Sequence, residues 1–106
     1  MKKPNYELQN ESENNVIIEF AKQFDVTPIQ IIARINNQQI SDIRHLYCKL
    51  RCENHGANYA TIGREIGRHH ATVIYAIKRI NDLLSLNDQK IVEMWNKVKG
   101  IPGYYI

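Results

Sequence analysis

An all-α domain of about six helices, containing a helix-turn-helix, is the fold class this sequence predicts. Apolar residues recur at i, i+3, i+4 and i+7 through most of the chain. Residues that cap or stop helices punctuate that recurrence. No stretch alternates with the period of two that would compete with helix. The 106 residues are one domain's worth, 43% hydrophobic and 24% charged, which excludes a disordered or low-complexity polymer. No apolar run nears the roughly 20 residues of a membrane span. The basic start, Met1-Lys2-Lys3, has no apolar stretch behind it, so no secretory signal and no membrane partner are expected.

Each element has its own warrant. Residues 1–13 are polar and form an expected flexible leader, and residues 14–99 are expected to form a single helical domain. In the first helix Ile17, Phe20, Ala21 and Phe24 keep helical spacing until Asp25-Val26 breaks it. Thr27-Pro28 restarts a short second helix, with Thr as N-cap and Pro at the first helical position. Ile29, Ile31, Ile32 and Ile35 are expected to give it an apolar surface. Asn36-Asn37-Gln38-Gln39 reads as a polar loop. Ser41 is the expected N-cap of a third helix, Asp42 falls in its first turn, and Ile43, Leu46, Tyr47 and Leu50 form its core stripe. Gly56 is the expected left-handed stop. Asn58 opens a fourth helix through Ile62, Gly63 and Ile66, and Gly67 ends it. A fifth starts near His69 or His70 and buries Val73, Ile77, Ile80 and Leu84. Asn87 or Asp88 caps the last, with Ile91, Met94, Trp95 and Val98 inward and Gly100 and Pro102 as its stop. Residues 100–106 are left as a tail.

Function is carried by the pair of helices at about 58–86. Two helices joined by a tight turn at Gly67-Arg68 make a helix-turn-helix. The major groove of duplex DNA is about 12 Å wide and admits one helix, whose N-terminal residues reach base edges while the first helix braces it. Ala60, Ile62, Ile66 and Val73 are expected to pack the pair together. The outward face of the second helix then begins with His69, His70, Ala71 and Thr72 and continues through Tyr75, Lys78 and Arg79.

The formal net charge of +3 says little, but its distribution says more. Residues 34–80 carry Arg34, Arg44, Lys49, Arg51, Arg64, Arg68, Lys78 and Arg79 against Asp42, Glu53 and Glu65. A basic middle suits a polyanionic partner. Cys48 and Cys52, flanked by His45 and His55, resemble a zinc stripe at first glance. Spread along one helix they span about 15 Å and cannot converge on one ion. No metal and no cofactor are expected. No carboxylate pair or nucleophile–base set emerges either, so an enzyme is not expected.

The stretch Ile62-Gly63-Arg64-Glu65-Ile66-Gly67-Arg68-His69-His70-Ala71-Thr72-Val73-Ile74-Tyr75-Ala76, with Lys78-Arg79-Ile80 after it, resembles the signature of the C-terminal DNA-binding domain of the bacterial replication initiator DnaA. Upstream, residues 17–33 are similar to that family's opening helix, turn and second helix, and the likeness covers about residues 15–86. It implies a Trp-repressor-like helical fold, binding to double-stranded DNA and a place in the bacterial cytoplasm and nucleoid. His70 matches the family's base-contacting histidine. Thr72, Arg68 and the backbone-contacting Arg44 match as well.

The departures are specific. One glycine stands before the arginine where the family has two. His69 replaces an acidic residue, and Ala71 replaces a hydroxyl. The family's basic loop, one arm of which enters the minor groove, is Asn36-Asn37-Gln38-Gln39 here. No G-x4-G-K-[ST] occurs among these residues, so no nucleotide partner and no ATPase motor are expected.

The resulting expectation is sequence-specific duplex binding, in replication initiation or transcriptional regulation. His69, His70, Ala71, Thr72 and Tyr75 would face the bases, Arg44, Arg64, Arg68, Lys78 and Arg79 the phosphates, and Asn36 and Asn37 the minor groove. The alternative is a protein-interaction module that kept the fold and lost DNA reading.

Overall fold

The computed structural model describes residues 15–35 and 37–103, and every described element is helical. Helix α1 (15–22) buries Val16, Ile17, Phe20 and Ala21. Phe20 meets the rings of Phe24 and Tyr47 edge-on, at centroid distances of 5.3 and 5.2 Å. Asp25 takes the left-handed backbone conformation (φ 57°) that ends this helix. Helix α2 (Pro28–Ile32) starts with a full capping box. The Gln30 N–H donates to Thr27 Oγ1 at 3.2 Å, and the Thr27 N–H donates to Gln30 Oε1 at 2.8 Å.

Helix α3 (Gln38–Lys49) forms the middle of the molecule and begins one turn earlier than the sequence predicts. Asn37, not Ser41, is its N-cap and accepts from the Ile40 N–H at 3.0 Å. Asn caps as well as Ser, and once Asn37 does so the first intrahelical bond runs from the Ser41 N–H to the Asn37 carbonyl. Gln38 and Gln39 therefore belong to the first turn of α3 rather than to a loop, and Asp42 is buried beyond that turn. The helix then widens into a π-helical segment, Leu50–Asn54, where the His55 N–H reaches back to the Leu50 carbonyl at 3.2 Å. Gly56 closes it with φ 74°.

Helices α4 (Tyr59–Ile66), α5 (His70–Ser85) and α6 (Gln89–Val98) follow, N-capped by Asn58, His69 and Asp88. The most extensive packing is α3 on α5, then α4 on α5, with α2 laid against α3 and α4. Tyr47, Leu46, Ile43, Leu50, Ile62, Ile66, Val73, Ile80 and Phe20 are buried in the common core.

Three packing expectations are corrected. In α2 only Ile31 is buried, while Ile29, Ile32 and Ile35 are exposed at 76, 37 and 39%. Five helical residues offer little more than one turn, and one inward position fills it. Ala60 is exposed, so Ile62, Ile66 and Val73 join α4 to α5 without it. Leu84 is half-buried rather than inside the core.

Candidate nucleic-acid interface

The turn between α4 and α5 is held by one close backbone approach. Gly67 is left-handed (φ 68°), and the Arg68 N–H donates to the Gly63 carbonyl at 2.8 Å. The carbonyl of Arg68 in turn lies so near Gly63 that a Cβ there would stand 2.5 Å from it. Only glycine at position 63 lets the chain double back this tightly.

The tight turn presents the start of α5 to solvent. His69 is the N-cap, its Nδ1 accepting from the Ala71 N–H at 3.2 Å. Its ring lies 4.4 Å from that of His70, tilted by 32°. His70, Ala71 and Thr72 are exposed in the first turn, and the positive end of the helix dipole lies there too. At 100° per residue, Ala71, Tyr75, Lys78 and Asp82 form the outermost strip of α5, opposite Val73, Ala76, Ile77 and Ile80. Tyr75 is 59% exposed and meets His45 of α3 edge-on at 6.2 Å. Burial lowers the His45 pKa, Asp42 opposes this, and its Nδ1 is buried without a hydrogen-bond partner. Lys78 and Arg79 are exposed further along α5. Arg64 is exposed on α4 and donates to Thr61 Oγ1 at 3.2 Å.

Two expected phosphate ligands are placed elsewhere. Arg44 is 7% exposed and donates to the carbonyls of Ile31 and Ala33 at 2.7 and 3.2 Å. Arg68 is half-buried and donates to the carbonyls of Ile32, Ala33 and Ile66 at 2.8, 3.1 and 2.9 Å. A guanidinium is weakly hydrated and carries five donors, which suits it to gather carbonyls in this way. Asn37 is exposed, but its side-chain oxygen is committed to capping α3. Asn36 lies outside the described residues.

Two further cations of the basic middle are internal. Arg51 is 7% exposed and grips Glu65 of α4 through both oxygens, Nε to Oε1 at 2.9 Å and Nη2 to Oε2 at 2.7 Å. Tyr47 adds its hydroxyl to Glu65 Oε1 at 2.6 Å. These hydrogen bonds raise the Arg51 pKa, while burial raises that of Tyr47. His55 extends the chain of contacts. Its Nδ1 lies 3.1 Å from Arg51 Nη1, and its Nε2 lies 2.7 Å from the Ile101 carbonyl. Arg51 can only donate, so Nδ1 accepts and Nε2 carries the proton in a neutral ring. Lys49 donates to Glu53 and to Asn81 and lies 4.9 Å over the Trp95 ring. Sequence reasoning missed this cluster. Its one signal was Glu65, a carboxylate one residue from Ile66 and three from Ile62 on the inward stripe of α4.

The sulfur and imidazole stripe disperses. Cys48 is buried, and burial pushes its thiol up to about 12, while Cys52 is half-buried and unpaired. Among the described residues no three His, Cys, Asp or Glu side chains gather as metal ligands.

A short bracing helix, a glycine-tight turn and a second helix with an open polar first turn define a helix-turn-helix of the DNA-binding class. The model of the bacterial DnaA protein helix-turn-helix matches residues 14–80, and the chain belongs to that DNA-binding family. No curated protein and no solved structure matches the chain.

Proposed function

We propose that this chain binds specific duplex DNA sequences by seating the first turns of α5 in the major groove. His70 and Thr72 face base edges, with His69, Ala71 and Tyr75 on the same surface. Ala71 offers a methyl group to a thymine methyl, and the imidazoles offer a donor or an acceptor according to tautomer. Arg64, Lys78, Arg79 and the exposed Arg34 meet phosphates on either side. The reading covers occupancy of a DNA site in control of replication initiation or of transcription.

The observation that carries it is the exposure of His70, Ala71 and Thr72 at the start of a helix braced through Gly63. Selection of bound sites from a random duplex pool, followed by mobility shifts, tests it. His70→Ala and Thr72→Val should each change the preferred bases, at about 1–3 kcal/mol of discrimination per lost contact. Equal binding of every duplex, or of none at low salt, would exclude this function.

A further inference from the structure

The end of α2 has no basic residue in its own last turn, yet three successive carbonyls there receive guanidinium donors from two other elements. Arg44 comes from α3 and Arg68 from the turn between α4 and α5, and they share the Ala33 carbonyl. Ile32 also meets the turn, since a Cβ on Gly67 would lie 3.5 Å from its Cγ2. Two like charges are thus held against one helix end. Burial lowers the pKa of both, with Arg68 as the second cause for Arg44 and Arg34 as the second cause for Arg68. The partial negative charge of the α2 carbonyls offsets the repulsion. Arg34, the next residue along, is exposed.

We propose that Arg44 and Arg68 are positioning residues that fasten the chain at Ala33 to α3 and to the α4–α5 turn respectively, so that Arg34 and the first turn of α5 engage one duplex as a rigid unit. The proposal rests on the DNA-binding reading above. A phosphate ligand must show its guanidinium to solvent, whereas Arg44 is buried and both terminal nitrogens of Arg68 already donate to carbonyls. The clamp also demands arginine. Lysine keeps the charge but cannot fork onto several carbonyls at once.

The test uses the whole chain on a duplex chosen by selection, with affinity read by fluorescence anisotropy. Absence of binding by the unaltered chain overturns the DNA reading and this proposal with it, before any variant is made. If the unaltered chain binds, Arg68→Lys and Arg68→Gln should both lose about tenfold, the scale of one lost DNA contact. Arg34→Gln should cost about tenfold in the unaltered chain and little in the Arg68→Lys background, because Arg68 acts through Arg34. Should Arg68→Lys fail to fold, inserting two glycines after Ala33 frees Arg34 while leaving both arginines in place, and it should match Arg34→Gln. Arg68→Lys binding within about twofold of the unaltered chain would overturn the clamp while leaving the DNA reading intact. So would equal costs of Arg34→Gln in both backgrounds, or an insertion that binds undiminished.

Discussion

Raising the salt concentration counts the cations that meet DNA. Each phosphate contact releases condensed counterion, so the logarithm of affinity falls against the logarithm of salt with a slope of about −0.9 per contact. Taken as sequence, the segment 34–80 offers eight cations and a slope of about −7. In the folded chain Arg44, Lys49 and Arg51 are under a tenth exposed, and Arg68 is engaged by three carbonyls. Arg34, Arg64, Lys78 and Arg79 remain exposed. Four contacts give a slope of about −3.6 and a loss of about 150-fold in affinity between roughly 50 and 200 mM salt. Eight would give a loss of about 20,000-fold over the same range. Anisotropy titrations of a labelled duplex at five salt concentrations measure the slope directly. A slope steeper than about −6 would refute the reasoning, because cations beyond these four would then have to reach phosphates.

Three other outcomes follow from the same contacts. Glu65→Gln leaves the Arg51 charge buried without its counter-ion and should cost about 3–5 kcal/mol in urea unfolding, while the paired change Arg51→Met with Glu65→Leu should cost far less; equal costs would show that the pair is not what matters. Gly63→Ala gains up to about 1 kcal/mol of helix propensity but forces a methyl group against the Arg68 carbonyl at a cost of about 1–3 kcal/mol, for a net loss of up to about 2 kcal/mol and weaker DNA binding; a raised melting midpoint would contradict the close approach. His45 and His55 are both held below the ordinary histidine value of 6.5, in each case chiefly by burial. The unfolded chain then binds more protons, so their contribution is complete above pH 6.5 and is lost as the pH falls through that value toward the folded pKa values. Melting midpoints should drop between pH 7.5 and 5.5, and drop less in the double variant His45→Asn, His55→Asn; identical profiles for the two chains would dismiss the histidines as the cause.

The helices were legible in the sequence because their boundaries rest on local chemistry. Thr27-Pro28, Asn58, Gly67 and Asp88 each act within one turn of where they stand, and the structure puts them to the uses their residue types suggest. Ser41 misled because Asn37, an equally good cap, stands four residues earlier, and local chemistry alone does not choose between them. The outward face of α5 was legible for a related reason, since the spacing of Val73, Ile77 and Ile80 fixes which side is left over.

What could not be read was the fate of each arginine and lysine. Arg44, Arg51 and Lys49 look no different in sequence from Arg64 or Lys78. Their partners, the Ile31 carbonyl, Glu65 and Asn81, stand 13, 14 and 32 residues away and are set by tertiary packing alone. A charge count over a segment therefore overstated what it can offer a polyanion. The π-helical segment was equally hidden, because Leu50–Asn54 carries no glycine, proline or other mark of a change in winding.

That segment carries one residue more than ordinary winding would need. A π turn closes its hydrogen bond from residue i to i−5 where an α turn closes to i−4, so the swelling at Leu50–Asn54 takes up a surplus residue and keeps the chain after it in step with α3. A deletion there could be absorbed by a return to ordinary α winding, whereas a deletion within Gln38–Lys49 would turn everything downstream by about 100° around the axis of α3. The end of this helix is thus the place where the chain could gain or shed a residue without re-aiming α5.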